Sequence, residues 1–189
     1  MSKDPNFIDD LLEGVKSNQI SIDEAKAQLS HYDELGFAKI DLHRAKRQGF
    51  PEVIFGEGKT KEQINQIIES LTQHDNVILV TRIDETKAKF VLEHHPYLQY
   101  HSVANIVSTP IEKIKKSQNY ISILCAGTSD LAVAEEAALT AEVMGIQVKR
   151  FYDVGVSGIH RLFNHIHEIR QGKVSVVIAG MAVSYTHLT

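Results

Sequence analysis

The sequence predicts an α/β protein: an N-terminal helical and small α/β region, followed by an incomplete flavodoxin-like, three-layer parallel sheet. Two observations support this prediction. Helical patterns, with apolar residues three and four positions apart, alternate with short apolar runs along most of the chain. From residue 120 the alternation becomes regular, as strand, helix, strand, helix and strand, which is typical of parallel βαβ units.

The N-terminal region contains the less regular elements. Ser21 and Glu24 have the spacing of a capping box, so a second short helix is expected from there to about His31. The other elements expected in this region are a helix at 6–16, strands at 37–40 and 52–55, a helix at 61–73, a buried strand at 76–81, a helix at 84–93 and one or two short strands within 98–107. Leu12 belongs to the predicted inward stripe of the first helix.

A polar run after Pro110 predicts a linker, so we place a domain boundary near residues 110–119. The predicted domains are then 1–112 and 119–181. In the second domain we expect strands at 120–126, 147–152 and 173–179, and helices at 129–144 and 157–170. Ser157 is expected to cap the second of these helices, and Gly145 and Gly172 to end the two helices.

Right-handed crossovers favour the strand order 2-1-3 for such a domain, with strand 120–126 in the middle and one helix on each face. The topological switch point then lies between the first and third strands, at their carboxyl ends, where open α/β sheets bind ligands. Gly127–Asp130 follows the first strand and Gly180-Met181 follows the third, so these segments are expected to meet there.

The Gly127–Asp130 segment has the chemistry of an anion site. Gly127 would let the backbone turn sharply and let a ligand approach it, while Thr128 and Ser129 offer hydroxyls. The following helix offers free N–H groups and the positive end of its dipole. The alternative is that Ser129 or Asp130 simply caps the helix. We favour phosphate or ribose binding.

The segment Asp153–Arg161 is a second candidate. Arg161 could bind a phosphate or carboxylate in bidentate fashion, and His160 could transfer a proton near neutral pH. Asp153 and Ser157 are ranked slightly ahead of His160. The alternative is a capped helix with solvated side chains.

Two further sets of residues have both a structural and a functional interpretation. Cys125 lies near the end of a buried strand, which favours a structural role over nucleophilic chemistry. Arg44, Arg47 and Lys59 could form an anion clamp, but their pattern by itself favours a solvated turn tied by an Asp41–Arg44 pair.

Bulk properties exclude several classes. The formal net charge of the 189 residues is -4, which does not favour a nucleic-acid partner, and no apolar run could span a bilayer. Residues 1–10 lack the apolar core of a signal peptide, so a cytoplasmic protein is expected. A single cysteine excludes an internal disulfide and a Cys-based metal cluster, and no metal ligands are assigned.

Together these segments resemble the LarB family, which begins the synthesis of the nickel-pincer nucleotide cofactor. The C-terminal part is also similar to phosphoribosylaminoimidazole carboxylase, whose Gly-x-x-Ser-Asp loop is one residue longer than Gly127–Asp130. The residues that carry the resemblance are Asp41, Arg44, Arg47, Gly49, Pro51, Glu52 and Val53, then Gly56, Gly58 and Lys59, then 125–137 and 153–161.

The resemblance implies carboxylation of nicotinic acid adenine dinucleotide at C5 of the pyridinium ring, with hydrolysis of the phosphoanhydride and release of AMP. It implies CO2 or bicarbonate as co-substrate, Mg²⁺ near the diphosphate and a homo-oligomer. The family's attacking cysteine and an acidic residue follow Met181, where this chain has Ala182 and an unrelated tail at 182–189. We therefore expect an incomplete enzyme, with strand 173–179 as an exposed edge prone to aggregation.

Two alternatives stay open at this point. One is carboxylation of aminoimidazole ribonucleotide, suggested by the similar Ser-Asp loop. The other is a nucleotide-binding module without catalysis, favoured by the single cysteine.

Overall fold

The structure, a computed structural model, describes residues 7–22, 24–25, 32–41, 44, 49–73 and 77–180. Three sheets are formed within these residues. The helices are α1 (Phe7–Lys16), α2 (Lys61–Thr72), α3 (Glu85–His94), α4 (Leu131–Val143) and α5 (Ile159–Gln171). The strands are β1 (Tyr32–Glu34), β2 (Lys39–Asp41), β3 (Ile54–Phe55), β4 (Leu79–Thr81), β5 (Gln99–His101), β6 (Ile106–Ser108), β7 (Tyr120–Cys125), β8 (Gln147–Phe151) and β9 (Ser175–Ile178).

The sheet topology confirms the predicted α/β class. β1 and β2 form an antiparallel hairpin. The second sheet has the order β3-β4-β6-β5, in which β3 and β4 are parallel and the remaining pairs are antiparallel. The third sheet is wholly parallel with the order β8-β7-β9, so strand 120–125 lies in the middle as expected from crossover handedness.

Local signals explain the helix starts in the first half. The Ser21–Glu24 capping box is confirmed: Ser21 N–H donates to Glu24 Oε2 at 2.8 Å, and Glu24 N–H donates to Ser21 Oγ at 3.1 Å. A second capping box joins Thr60 and Gln63 at the start of α2. Asp84 caps α3 by accepting the Lys87 N–H at 2.9 Å.

Two local predictions are wrong. The helix expected from a Ser157 cap begins at Ile159 instead, because Ser157 lies in a 3₁₀ turn (Val156–Gly158) and no side chain caps α5. Leu12, expected inside, is exposed. Gly172 ends α5 as expected, with extended backbone at φ -62°. Gly145, with φ +80°, ends α4 as expected.

The strand boundaries also differ in the hairpin. β2 begins at Lys39 rather than Phe37, and its partner β1 was not anticipated. β1 reads Tyr-Asp-Glu, which lacks the apolar alternation that reveals a half-buried strand.

Helix α4 is a layer shared by two sheets. One side packs Leu139 and Val143 against the second sheet at Leu79 and Ile106. The other side packs Ala134 and Ala138 against the third sheet, at Ile123 and Cys125. The small side chains of Ala134 and Ala138 allow the helix to approach the third sheet closely, while the larger Leu139 and Val143 fill the space to the second sheet.

The remaining helices cover the outer faces. α2 buries Ile64, Ile67, Ile68 and Leu71, as the helical stripe predicts, in the core of the second sheet. α5 covers the other face of the third sheet with Leu162 and Ile169. The boundary at 110–119 stays a prediction; a 3₁₀ turn (Ile111–Lys113) lies within it.

Candidate nucleotide site at the carboxyl edge of the third sheet

The carboxyl ends of β7, β8 and β9 lie at one edge of the third sheet because the three strands are parallel. Main-chain hydrogen bonds continue past the strand ends. Ala126 N–H donates to Ile178 O at 3.0 Å, and Val154 N–H donates to Cys125 O at 3.1 Å. The segments after the three strands therefore start from fixed positions beside one another.

The Gly127–Asp130 loop is open toward solvent. Gly127 has φ -137° and ψ 167°, ordinary extended backbone that any residue adopts, so the expected sharp turn is not the reason for glycine here. Among the described residues other than its chain neighbours, the nearest atom to a Cβ at this position would be Ser129 Oγ at 3.9 Å. Thr128 and Ser129 are both exposed. No described residue therefore fills the space in front of Gly127.

Asp130 joins the first and third strands across the edge. Its carboxylate Oδ2 accepts the Gly180 N–H at 3.2 Å, and a Cβ on Gly180 would lie 2.9 Å from Oδ1. Neither Ser129 nor Asp130 caps α4 through its side chain, because the first turn (Thr128–Asp130) is 3₁₀ and no side-chain cap bond forms. The capping alternative therefore does not account for this pair. Met181 lies outside the described residues.

The Asp153–Arg161 loop is fixed by its own contacts. Asp153 has φ +57°, and its Oδ2 accepts a hydrogen bond from Arg161 Nη1 at 2.7 Å. A Cβ on Gly155 would lie 2.6 Å from Ala126 O, and one on Gly158 would lie 2.8 Å from Arg161 Nε. Gly155 is therefore required by close approach to the main chain, whereas a side chain at Gly158 would only displace the half-exposed Arg161 guanidinium.

The Arg161 guanidinium is placed against the preference of its helix. It folds back over Gly158, at the N-terminal end of α5, where the helix dipole disfavours a cation. Half of its side chain is exposed, as is that of Asp153. The ion pair with Asp153 at 2.7 Å accounts for this placement, because it brings a carboxylate to the guanidinium. Ser157 and His160 are also exposed.

Cys125 lies beneath both loops and is structural, as predicted. It is 1% exposed, and its Sγ–H donates to Gly127 O at 3.0 Å. Burial raises the pKa of the thiol, and the nearby carboxylates of Asp130 and Asp153 raise it further. The thiolate that nucleophilic chemistry needs is therefore disfavoured.

Two residues of the expected anion clamp, Arg44 and Lys59, are described, and among the described residues neither forms a hydrogen bond or ion pair with this edge. Arg44 Nη1 lies 3.3 Å from Glu52 Oε2. Lys59 is half-buried and follows Gly58, which has φ +79°. Arg47 lies outside the described residues, so the clamp stays a prediction.

A cleft that sequence reasoning missed lies between the second sheet and α4. We refer to it as the β4 cleft; its volume is about 520 Å³, and its lining includes Glu57, Arg82, Asn105, Val133 and Glu136. The sequence did carry a signal, because the polar residues of Arg82–Asp84 directly follow a buried strand.

The described residues offer no cluster of side chains suited to bind a metal. Among residues 7–22, 24–25, 32–41, 44, 49–73 and 77–180, no three or more His, Cys, Asp or Glu side chains form a group that could hold a metal ion. Mg²⁺ near the diphosphate therefore stays a prediction. None of the helices in the described part of the chain is long and apolar enough to cross a bilayer.

Comparisons with known proteins agree with this architecture. Residues 32–112 match the family model described as the LarB/PurE-like N-terminal domain. An uncharacterized protein of Methanocaldococcus jannaschii is 36% identical over 184 residues, which is 91% of this chain and 72% of that protein. The chain therefore belongs to the LarB family, which is carboxylase-like.

Proposed function

We propose that this protein acts on nicotinic acid adenine dinucleotide, in the carboxylation of pyridinium C5 with hydrolysis of the phosphoanhydride and release of AMP. CO2 or bicarbonate would be the co-substrate. One observation supports this most directly: Gly127 is a glycine that neither its φ nor any contact with the described residues requires. A phosphate binds where a main-chain N–H at the edge of an α/β sheet faces open space.

In this proposal the Gly127–Asp130 loop binds a phosphate. The hydroxyls of Thr128 and Ser129, both exposed, donate to its oxygens, and the N-terminal end of α4 contributes the positive end of its dipole. Arg161 supplies the balancing charge from the neighbouring loop. Asp130, tied to Gly180, fixes the distance between the first and third strands rather than contacting phosphate.

The carboxylation itself requires an electron-rich carbon. A pyridinium ring is electron-poor and resists attack on CO2, whereas thiolate addition to the ring would give an enamine with a nucleophilic carbon. Cys125 cannot supply that thiolate, because it is buried and its pKa is raised by burial and by two carboxylates. We therefore propose that these 189 residues bind and orient the nucleotide, with Asp153 and His160 as candidates for proton transfer.

The buried thiol also favours a second candidate, a nucleotide-binding module without catalysis. Calorimetric titration with nicotinic acid adenine dinucleotide, AMP and aminoimidazole ribonucleotide separates the alternatives. We expect the dinucleotide to bind most tightly. Preference for aminoimidazole ribonucleotide would favour the purine-pathway reaction instead, and lack of binding by all three would remove the proposal.

Carboxylation is tested by incubating the protein with the dinucleotide and labelled bicarbonate. We expect binding without incorporation of label by the chain alone. Incorporation that survives Cys125→Ser would show that the mechanism does not use a thiolate of this chain.

A further inference from the structure

The β4 cleft lies at the carboxyl ends of parallel strands in the second sheet, as the Gly127–Asp130 loop does in the third sheet. β3 and β4 are parallel neighbours, so their carboxyl ends lie side by side. Gly56 follows β3 and Arg82 follows β4, and both strand ends open toward the cleft. Crevices outside the carboxyl ends of parallel strands are where α/β sheets bind ligands. A volume of about 520 Å³ is appropriate for a small molecule.

The backbone around the cleft is held in uncommon conformations. Arg82 and Asn105 both have φ +52°, a conformation that costs a non-glycine residue conformational energy. The two segments are bound together, because Ile83 N–H donates to Asn105 O at 2.9 Å. Gly56 is fixed by close approach, since a Cβ there would lie 2.9 Å from Thr81 O. Such conformations persist where they position a side chain for function.

One wall of the cleft is apolar and uncovered. It is formed by Ala132 and Val133 in the first turns of α4, and Val133 is 53% exposed. Ala104 adds a buried methyl group beside them. This wall offers a flat ring a surface of small apolar side chains.

The opposite side carries a guanidinium between two carboxylates. Arg82 Nη1 lies 3.6 Å from Glu57 Oε2, and Arg82 Nε lies 3.5 Å from Glu136 Oε1. The Phe55 ring faces the guanidinium on one side, with its centroid 5.9 Å from Arg82 Cζ. The side chain is 55% exposed, so a base could stack on the other side. The other cation, Lys87, is already engaged by Asp84 at 3.2 Å and by Gly56 O at 3.4 Å.

The charges distinguish between ligand classes. The described lining residues include three carboxylates (Glu57, Asp84 and Glu136) and two cations, so the cleft offers no surplus positive charge for a phosphate. Carboxylate oxygens instead accept hydrogen bonds from sugar hydroxyls, while the guanidinium face and the apolar wall suit the two faces of a base. A nucleoside has both of these parts.

We propose that the β4 cleft binds the nucleoside half of a dinucleotide whose phosphates lie at the Gly127–Asp130 loop, an inference that rests on the proposed function. Both sites lie at the N-terminal end of α4, because Ala132 in the cleft wall follows Asp130 by two positions, less than one turn. Glu57 and Glu136 accept the ribose hydroxyls, and Arg82 stacks on the base.

The test uses Arg82→Gly, which removes the guanidinium and relieves the left-handed backbone at the same position. We expect adenosine affinity, measured by calorimetry, to fall at least tenfold while the melting temperature is unchanged or higher. A purely structural Arg82 would give the reverse, a lower melting temperature with unchanged adenosine affinity, and would overturn the proposal.

A second variant blocks the cleft without removing charge. Ala132→Trp fills the exposed wall and should abolish adenosine binding. The matched control is Asn164→Trp on the exposed face of α5, which should bind adenosine as the unmodified protein does. Equal affinity in the Ala132 variant and its control would overturn the proposal.

Inorganic pyrophosphate separates this inference from the proposed function. If pyrophosphate binds and adenosine does not, the nucleoside site is wrong and the phosphate loop stands. If adenosine binds and pyrophosphate does not, the cleft stands as a nucleoside site and the phosphate loop is wrong, so the link between the two is also overturned.

Discussion

The two loops at the carboxyl edge of the third sheet differ in what holds them. The Asp153–Arg161 loop is filled by protein: two glycines make room for a carbonyl and a guanidinium, and an ion pair joins its ends. The Gly127–Asp130 loop has free space at its glycine, and its hydroxyls are exposed. One loop is therefore a fixed wall, and the other is a surface that can receive a ligand.

A glycine in a loop is therefore weak evidence of a binding site when it is considered alone. Gly155 has a sufficient structural reason to be glycine, because main-chain atoms lie against it, whereas Gly127 has none within the described structure. The useful observation is the atom that a Cβ would meet. Where that atom belongs to the protein, the glycine supports the fold; where no atom lies near, a ligand is the better explanation.

The largest expected effect is on stability, in Gly155→Ala. The added Cβ would lie 2.6 Å from Ala126 O and 3.3 Å from its carbonyl carbon, both main-chain atoms that cannot move without shifting β7. We expect a loss of roughly 1–3 kcal/mol in the free energy of unfolding, as for other overpacked sites. Urea denaturation followed by circular dichroism measures it. A change below about 0.5 kcal/mol, the range of ordinary surface substitutions, would contradict the conclusion that close contact at Gly155 fixes the Asp153–Arg161 loop.

Gly127→Ala should give the opposite pattern. Apart from its chain neighbours, no described residue comes closer than 3.9 Å to the added Cβ, and the backbone is extended, so stability should change by less than about 0.5 kcal/mol. The methyl group would fill the space proposed for phosphate, and we expect nucleotide affinity to fall about tenfold, or about 1.4 kcal/mol. Calorimetric titration measures this. Unchanged affinity in a folded variant would show that the open space is not a binding site.

A smaller loss of stability is expected when the hydrogen bond between Asp130 and Gly180, which connects the ends of β7 and β9, is removed. Asp130→Ala removes the acceptor of the Gly180 N–H, and because this group is exposed, water replaces much of the bond. We expect a loss of about 0.5–1 kcal/mol and faster hydrogen exchange at the Gly180 amide. Asp130→Asn, which keeps an acceptor oxygen, is the control. Equal exchange rates in all three proteins would mean that the bond does not hold β9.

The smallest effect concerns the thiol beneath both loops. Burial and the carboxylates of Asp130 and Asp153 raise the pKa of Cys125, so its contribution to stability is present below the ordinary thiol pKa and is lost as pH rises through the raised value. Alkylation by iodoacetamide at pH 8 should be much slower in the folded protein than in denaturant. Comparable rates would indicate an accessible thiolate and reopen a nucleophilic role.

Sequence reasoning succeeded where a single physical rule dominates. Crossover handedness fixed β7 at the centre of the third sheet, and the helical stripe of α2 identified its buried face. It failed where several interactions compete. Ser157 looked like a helix cap, but a 3₁₀ turn precedes α5, and its start carries the folded-back Arg161 instead.

The α/β class and the parallel order of the third sheet follow from the sequence alone, because they depend on periodicity and chain connectivity. The burial of Cys125 and the family motifs also follow from it, because they depend on residue type. Only the tertiary structure decided which glycines are filled by protein, that α4 serves two sheets, and that Arg82, Glu57 and Glu136 surround one cleft. These depend on distances between residues far apart in the chain, and packing rather than local preference sets those distances.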